Sequence, residues 1–158
     1  MLLITDANSL FSFFRKESSI RELVINSDEY GLTLAAPKRL FIELDKHKSK
    51  ICELAEISED EYEFPRAVIE VFIKIIPDEF WKDFISETDE ILKQHTKDVP
   101  YVALALAFKS KGEQPSILSN ESRFKVLEEH GIKVFKTRQL FKYLRSLGYD
   151  FWLAKLLE

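Results

Sequence analysis

The chain has 158 residues, 46% of them hydrophobic, and a formal net charge of −4. That is enough apolar material for one core, so a single domain over residues 1–158 is expected; the negative balance excludes a protein that coats nucleic acid through an overall positive field, while leaving room for a local basic rim. The lone Cys52 excludes a disulfide framework, a zinc knuckle and a paired-thiol redox motif, and fits a packed helix residue in a reducing compartment.

In chain order, the apolar run Leu2–Thr5 is a short strand. Asp6 interrupts it before a signal peptide or a membrane span can accumulate, so a soluble, unexported, cytoplasmic protein with no membrane partner is expected. Ser19 and Glu22 stand at capping-box spacing and open a helix. Leu32–Ala36 is the second strand, and Pro37 is placed to open the next helix. Ser58 and Glu61 repeat the capping-box spacing before the third strand, Ile73–Ile76. Pro77, Asp78 and Glu79 begin a helix that carries Phe80, Phe84 and Ile91 and ends near Leu92. From Asp98 to Ser110 the sequence is apolar almost all round, which calls for a helix covered on most sides. Ser116–Leu118 and Ile132–Phe135 supply the fourth and fifth strands, with Gly131 and Gly148 as helix stops. The tail from Tyr149 to Glu158 is too aromatic and aliphatic for a free end, and is expected to dock on its own domain or on a second copy. Strands alternating with helices bury a parallel sheet between helical layers, so the fold class is α/β.

In open sheets of this kind, ligands gather beyond the carboxyl ends of the strands. Asp6 closes the first strand, Glu121 follows the fourth, Glu43 lies in the helix after the second, and Asp98 opens the buried helix. Converging carboxylates are hard oxygen ligands for Mg²⁺ or Mn²⁺, which activate water and offset the charge of a phosphodiester. Each acid alone has a plainer reading, since 27 of the 158 residues are acidic: Glu43 also fits a solvated helix face and Asp98 an N-cap. Asp6 stands out because Asp is depleted from strands. Asn8 either hydrogen-bonds a ligand carboxylate or caps a helix; Ser119 and Asn120 either support the acids or make a turn. His47 shares a stripe with Leu40, Leu44 and Ile51, as a core or interface residue would, whereas His95 and His130 are expected in solvent. Lys46, Lys109 and Arg123 are either parts of an RNA rim or solvated side chains. Most of the 13 phenylalanines, with Trp81 and Trp152, should be core.

Four stretches, ITDANSL, IELDKH, DVPYVALALAFKSKG and SILSNESRF, together resemble the motifs of the PIN domain family across nearly the whole chain. The resemblance implies a three-layer α/β/α fold around a five-stranded parallel sheet of order 3-2-1-4-5. It further implies that Asp6, Glu43, Asp98 and Glu121 bind one or two Mg²⁺ or Mn²⁺ ions and hydrolyse single-stranded RNA, with Asn8, Ser119 and Asn120 in support. A toxin of a toxin/antitoxin pair, or an RNA-processing relative, and a homodimer are the implied setting. One departure is visible, because the family usually carries Asp where this chain has Glu121, one methylene longer; metal geometry there is expected to shift. A PIN-like module that binds RNA without turnover is therefore a second reading. A third, a receiver-type signalling domain with Asp78 as phosphoacceptor and Lys136 beside it, leaves Glu43 and Asp98 without a role and lacks the acidic pair after strand one, where Ala7 follows Asp6.

Overall fold

Five short strands, β1 (Leu2–Thr5), β2 (Thr33–Pro37), β3 (Lys74–Ile76), β4 (Ser116–Leu118) and β5 (Lys133–Phe135), form one sheet in the order β3-β2-β1-β4-β5, every pairing parallel. The computed structural model in which they are seen describes residues 1–93 and 96–151. Side chains alternate across a strand with a period of two, so each strand feeds two layers. Leu3, Leu34, Ala36 and Leu118 join one core with the helices α1 (Ser19–Ile25), α2 (Arg39–Lys46), α3 (Lys48–Ala55), α4 (Glu59–Phe72) and α7 (Thr137–Ser146). Their neighbours Ile4, Ala35 and Ile117 face the other way, into a second core with α5 (Ile85–Leu92) and α6 (Val99–Ser110). The architecture is thus the three-layer α/β/α sandwich with the expected strand order.

Helix α6 explains its own composition. Tyr101 through Ala107 are all buried, because the sheet covers one side while Trp81, Leu92, Phe124 and Leu127 cover the rest. Leu104 has no exposed surface, so truncating it to Ala costs about 2–5 kcal/mol.

The capping box at Ser58 and Glu61 is formed by two reciprocal bonds of 3.1 Å. The box expected at Ser19 is not: the cap of α1 is Ser18, whose extended backbone aims its hydroxyl at the N–H of Arg21, 3.2 Å away. Pro37 closes β2 instead of opening a helix, and α2 starts at Arg39. The segment after β3 is broken where one helix was expected. Two 3-10 turns, Asp78–Phe80 and Lys82–Phe84, precede α5, and Trp81 between them has a non-helical backbone while its ring is buried in the second core. Burial of that ring outweighs helix continuity. The stretch Ser122–His130 is likewise a 3-10 segment, ended by Gly131 at φ 76°. That left-handed backbone favours glycine, and a Cβ there would also displace the Lys109 amine from its bond to the His130 carbonyl.

Cys52 is a buried free thiol of α3. Phe151 is fully buried against Tyr30 and Phe141, so the tail docks on its own chain at least that far. His95 and the tail from Trp152 onward lie outside the described residues. Among the described residues, no helix is long and apolar enough to cross a membrane.

Candidate active site

The register of the sheet puts two acids side by side. Thr5 of β1 pairs with Leu118 of β4, and the chain leaves both strands at the same edge, so Asp6 and the Ser119–Glu121 turn emerge together at the point where the strand order reverses. The Asp6 N–H donates to the Leu118 carbonyl at 3.3 Å, continuing the ladder by one bond. Its carboxylate Oδ1 accepts the Ser9 N–H at 2.9 Å, which fixes the start of the 3-10 segment Asn8–Phe14. Burial pushes the Asp6 carboxyl above the ordinary carboxylate range; Ser119 and Ser9 pull it down and the nearby Glu121 pushes it up.

Each remaining acid is held by a donor from another element. Glu121 accepts from the Asn8 amide at 2.9 Å and from Arg123 at 3.2 Å. Asp98, with a side chain only 7% exposed, accepts both prongs of the Arg123 guanidinium, one at 3.2 Å and the other closer. This ion pair replaces the N-cap role, for which the Asp98 side chain makes no bond. Glu43 accepts from Arg39 one turn earlier at 3.2 Å and from the Tyr101 hydroxyl at 3.1 Å. Burial, and then the charge of Glu43, push the Tyr101 phenol far up, so it stays a neutral donor.

Asp6, Glu43 and Asp98 line one cavity of about 160 Å³ together with Asn8, Tyr101 and Arg123. Lys46, Lys97, Arg39 and His47 complete its wall. His47 is half-buried there, its ring 5.5 Å from that of Phe11, rather than in the core. Larger hollows elsewhere, such as the one of about 590 Å³ between β2, β3 and the end of α4, hold no comparable group of acids and donors.

Not every candidate comes to the cavity. Lys109 sits at the far end of α6, roughly 16 Å from Asp98 at 1.5 Å of rise per residue, and its amine is spent on the His130 carbonyl. Asn120 points to the start of α7, giving its amide to Thr137 Oγ1 at 3.1 Å and accepting the Thr137 N–H at 3.0 Å. The Ser119 hydroxyl accepts the Glu121 N–H at 3.2 Å, a turn bond beside Asp6. Arg123 belongs to the acidic cluster itself instead of a free rim. In the sequence Arg39 reads as one of several basic residues on its helix, and its i, i+4 spacing to Glu43 was the available sign of the pair, while Tyr101 was absorbed into the apolar run of α6. His130 is exposed, as expected. The receiver arrangement is overturned by topology: Asp78 follows β3 and Lys136 follows β5, the two opposite edges of the sheet.

Beside the His47 imidazole, the cavity offers the carboxylate oxygens of Asp6, Glu43 and Asp98, the donors a hard divalent ion takes. The raised Asp6 carboxyl points the same way, because a cation would relieve the cost of its ionisation. Among the described residues, no three acidic, histidine or cysteine side chains are spaced to hold an ion as they stand; the four carboxylates are occupied by Ser9, Asn8, Arg39, Tyr101 and Arg123.

A family model described as the PIN domain matches residues 4–145. None of the curated proteins matches the sequence. With nine-tenths of the chain matched, the protein belongs to the PIN domain family, whose members are generally nucleases that use divalent metal ions.

Proposed function

We propose that this protein is a metal-dependent endoribonuclease that hydrolyses phosphodiester bonds of single-stranded RNA. The observation that carries the reading is the assembly of Asp6, Glu43 and Asp98, drawn from β1, α2 and the start of α6, around one small cavity, with Glu121 joined to it through Asn8. Those four acids would hold one or two Mg²⁺ or Mn²⁺ ions, whose chemistry is activation of water and neutralisation of phosphate charge. The chain's own groups do the positioning. Ser9, Tyr101, Asn8 and Arg39 orient the carboxylates, and Lys46 and Lys97 offer charge to the flanking phosphates at the cavity wall. The cavity, of about 160 Å³ and lined by charged and polar side chains, suits a phosphodiester group.

Cleavage of a mixed single-stranded RNA in Mn²⁺ by the wild type, and its loss in Asp98→Asn and Asp6→Asn, is the expected result. Undiminished cleavage by both variants would remove the assignment.

A binding module without turnover is favoured by one observation, the longer Glu121 with Arg123 seated between it and Asp98. Mn²⁺ binding with no cleavage across varied RNAs would select it.

One surface feature bears on partners. Phe64 and Val71, 77% and 78% exposed, stand with Val68 on one stripe of α4, an apolar face that supports contact with a second copy or an antitoxin protein. Homodimerisation is tested by light scattering at high concentration, and a toxin role by growth arrest on expression that depends on Asp6. The single-domain reading predicts one cooperative unfolding transition, and a cytoplasmic location is tested by cell fractionation.

A further inference from the structure

Whereas Arg39 at the cavity wall pairs with Glu43, Arg123 lies between two acids of the cavity region. Its guanidinium grips both oxygens of Asp98 and extends its remaining nitrogen to Glu121, which Asn8 holds from the opposite side. Asp98 is nearly buried, and Asp6 adds a further buried carboxyl that the charge of Glu121 disfavours. Carboxylates gathered in this way repel one another unless a positive charge stands among them. In the protein alone, that charge is Arg123.

We propose that Arg123 is an internal stand-in for the divalent ion: it holds the acid cluster together in the metal-free protein, competes directly with metal for Asp98 and Glu121, and is displaced when the ion binds. The inference rests on the reading that these acids take a metal. Three features make the exchange feasible. The side chain is about one-fifth exposed, so the guanidinium has a route to solvent. It springs from the 3-10 segment Ser122–His130, outside the sheet ladder, so its release breaks no strand pairing. The occupied oxygens are also those a metal would need, and a guanidinium and a divalent ion on the same carboxylates would repel each other. A displaced guanidinium stays tethered at the cavity wall, where its fork suits a phosphate. Metal uptake would then expose the group that grips the substrate.

The test compares Mn²⁺ binding by calorimetry in the wild type, Arg123→Gln, Arg123→Lys and Asp6→Asn. Arg123→Gln is expected to bind Mn²⁺ roughly tenfold more tightly, the scale of one charge-assisted pair removed from competition, with Arg123→Lys between the two. The same Arg123→Gln protein should show a raised KM for RNA. A merely structural arginine would weaken both affinities together, and that result overturns the proposal, as does unchanged Mn²⁺ affinity. Failure of the underlying reading looks different, because no Mn²⁺ uptake sensitive to Asp6→Asn would then occur in the wild type or in Arg123→Gln. Should Arg123→Gln fold poorly, the wild type itself decides. The Arg123 Nε–H resonance is expected to shift and lose protection from solvent exchange as Mg²⁺ saturates the protein; a resonance that stays put and protected at saturation refutes displacement.

Discussion

Asn8 and Glu121 are 113 residues apart in the chain and joined by a 2.9 Å hydrogen bond. Asn8 follows β1 by a few residues and Glu121 follows β4, so the bond ties together the two loops that leave the sheet at its reversal point. The longer arm of Glu121 serves this geometry, reaching Asn8 with one oxygen and Arg123 with the other.

Removing the amide should therefore loosen one acid without loosening the fold. Asn8→Ala is expected to lower RNA cleavage by roughly 10–100-fold, the usual effect of losing a group that orients a metal ligand. Because the bond is exposed, the melting temperature should move little. Kinetics and calorimetry on one preparation check both halves, and a large melting shift would show that the contact holds the sheet instead.

Asp6→Asn separates activity from stability. The raised Asp6 carboxyl means the folded chain holds that proton more tightly than the unfolded chain does. Stability from this group is full below the unfolded carboxylate pKa and is lost as pH rises through the raised folded value. Asn keeps an oxygen to accept the Ser9 N–H and removes the charge. The metal-free variant should thus melt higher than the wild type at pH 7, with the two converging near pH 4. Calorimetry in chelator across that range would contradict the argument if the variant melted lower at pH 7.

Tyr101→Phe deletes one hydroxyl from an otherwise unchanged core position and leaves Glu43 with Arg39 as its remaining donor. A loss of ~1 kcal/mol in stability is expected, the net worth of one such bond. Cleavage should fall more than that through misplacement of Glu43. Denaturant midpoints and initial rates measured in parallel test whether the hydroxyl orients the acid or only fills space.

Ser58→Ala provides the contrast, since it opens the capping box of α4, on residues that take no part in the acid cavity. It should cost ~1 kcal/mol, as N-cap losses do, with RNA cleavage at a temperature well below melting unaffected. A parallel drop in rate would mean that α4 communicates with the acids.

Much of this arrangement could be read from residues alone, for identifiable reasons. The strands were legible because the apolar runs are short and bounded, and α6 because an all-round apolar helix has few places to go. Asp6 was legible because an acid ending an apolar strand needs a reason. The cap at Ser18 was missed in favour of Ser19 because Ser19 has Glu22 at capping-box spacing while Ser18 has Arg21, and the choice is made by backbone direction. The break at Trp81 was hidden because its cause is the second core, filled by α6 and other residues well downstream in the chain. Arg123 resembled a surface cation until the fold brought Asp98, 25 residues earlier, against it. Asn120 offered two uses at equal spacing, and the start of α7 took it.

Strand β1 lies between a partner made soon after it and one made late, Thr33–Pro37 on one side and Ser116–Leu118 on the other. During synthesis on a ribosome, the first half of the chain can pair β1 with β2 but has neither Asp98 nor Glu121 to set beside Asp6. The cluster of acids closes only when β4 slots in, a long-range step of the kind that comes late in folding. If the acids are the catalytic groups proposed, a nascent or truncated chain would lack them as a set, and hydrolysis would wait for a finished molecule.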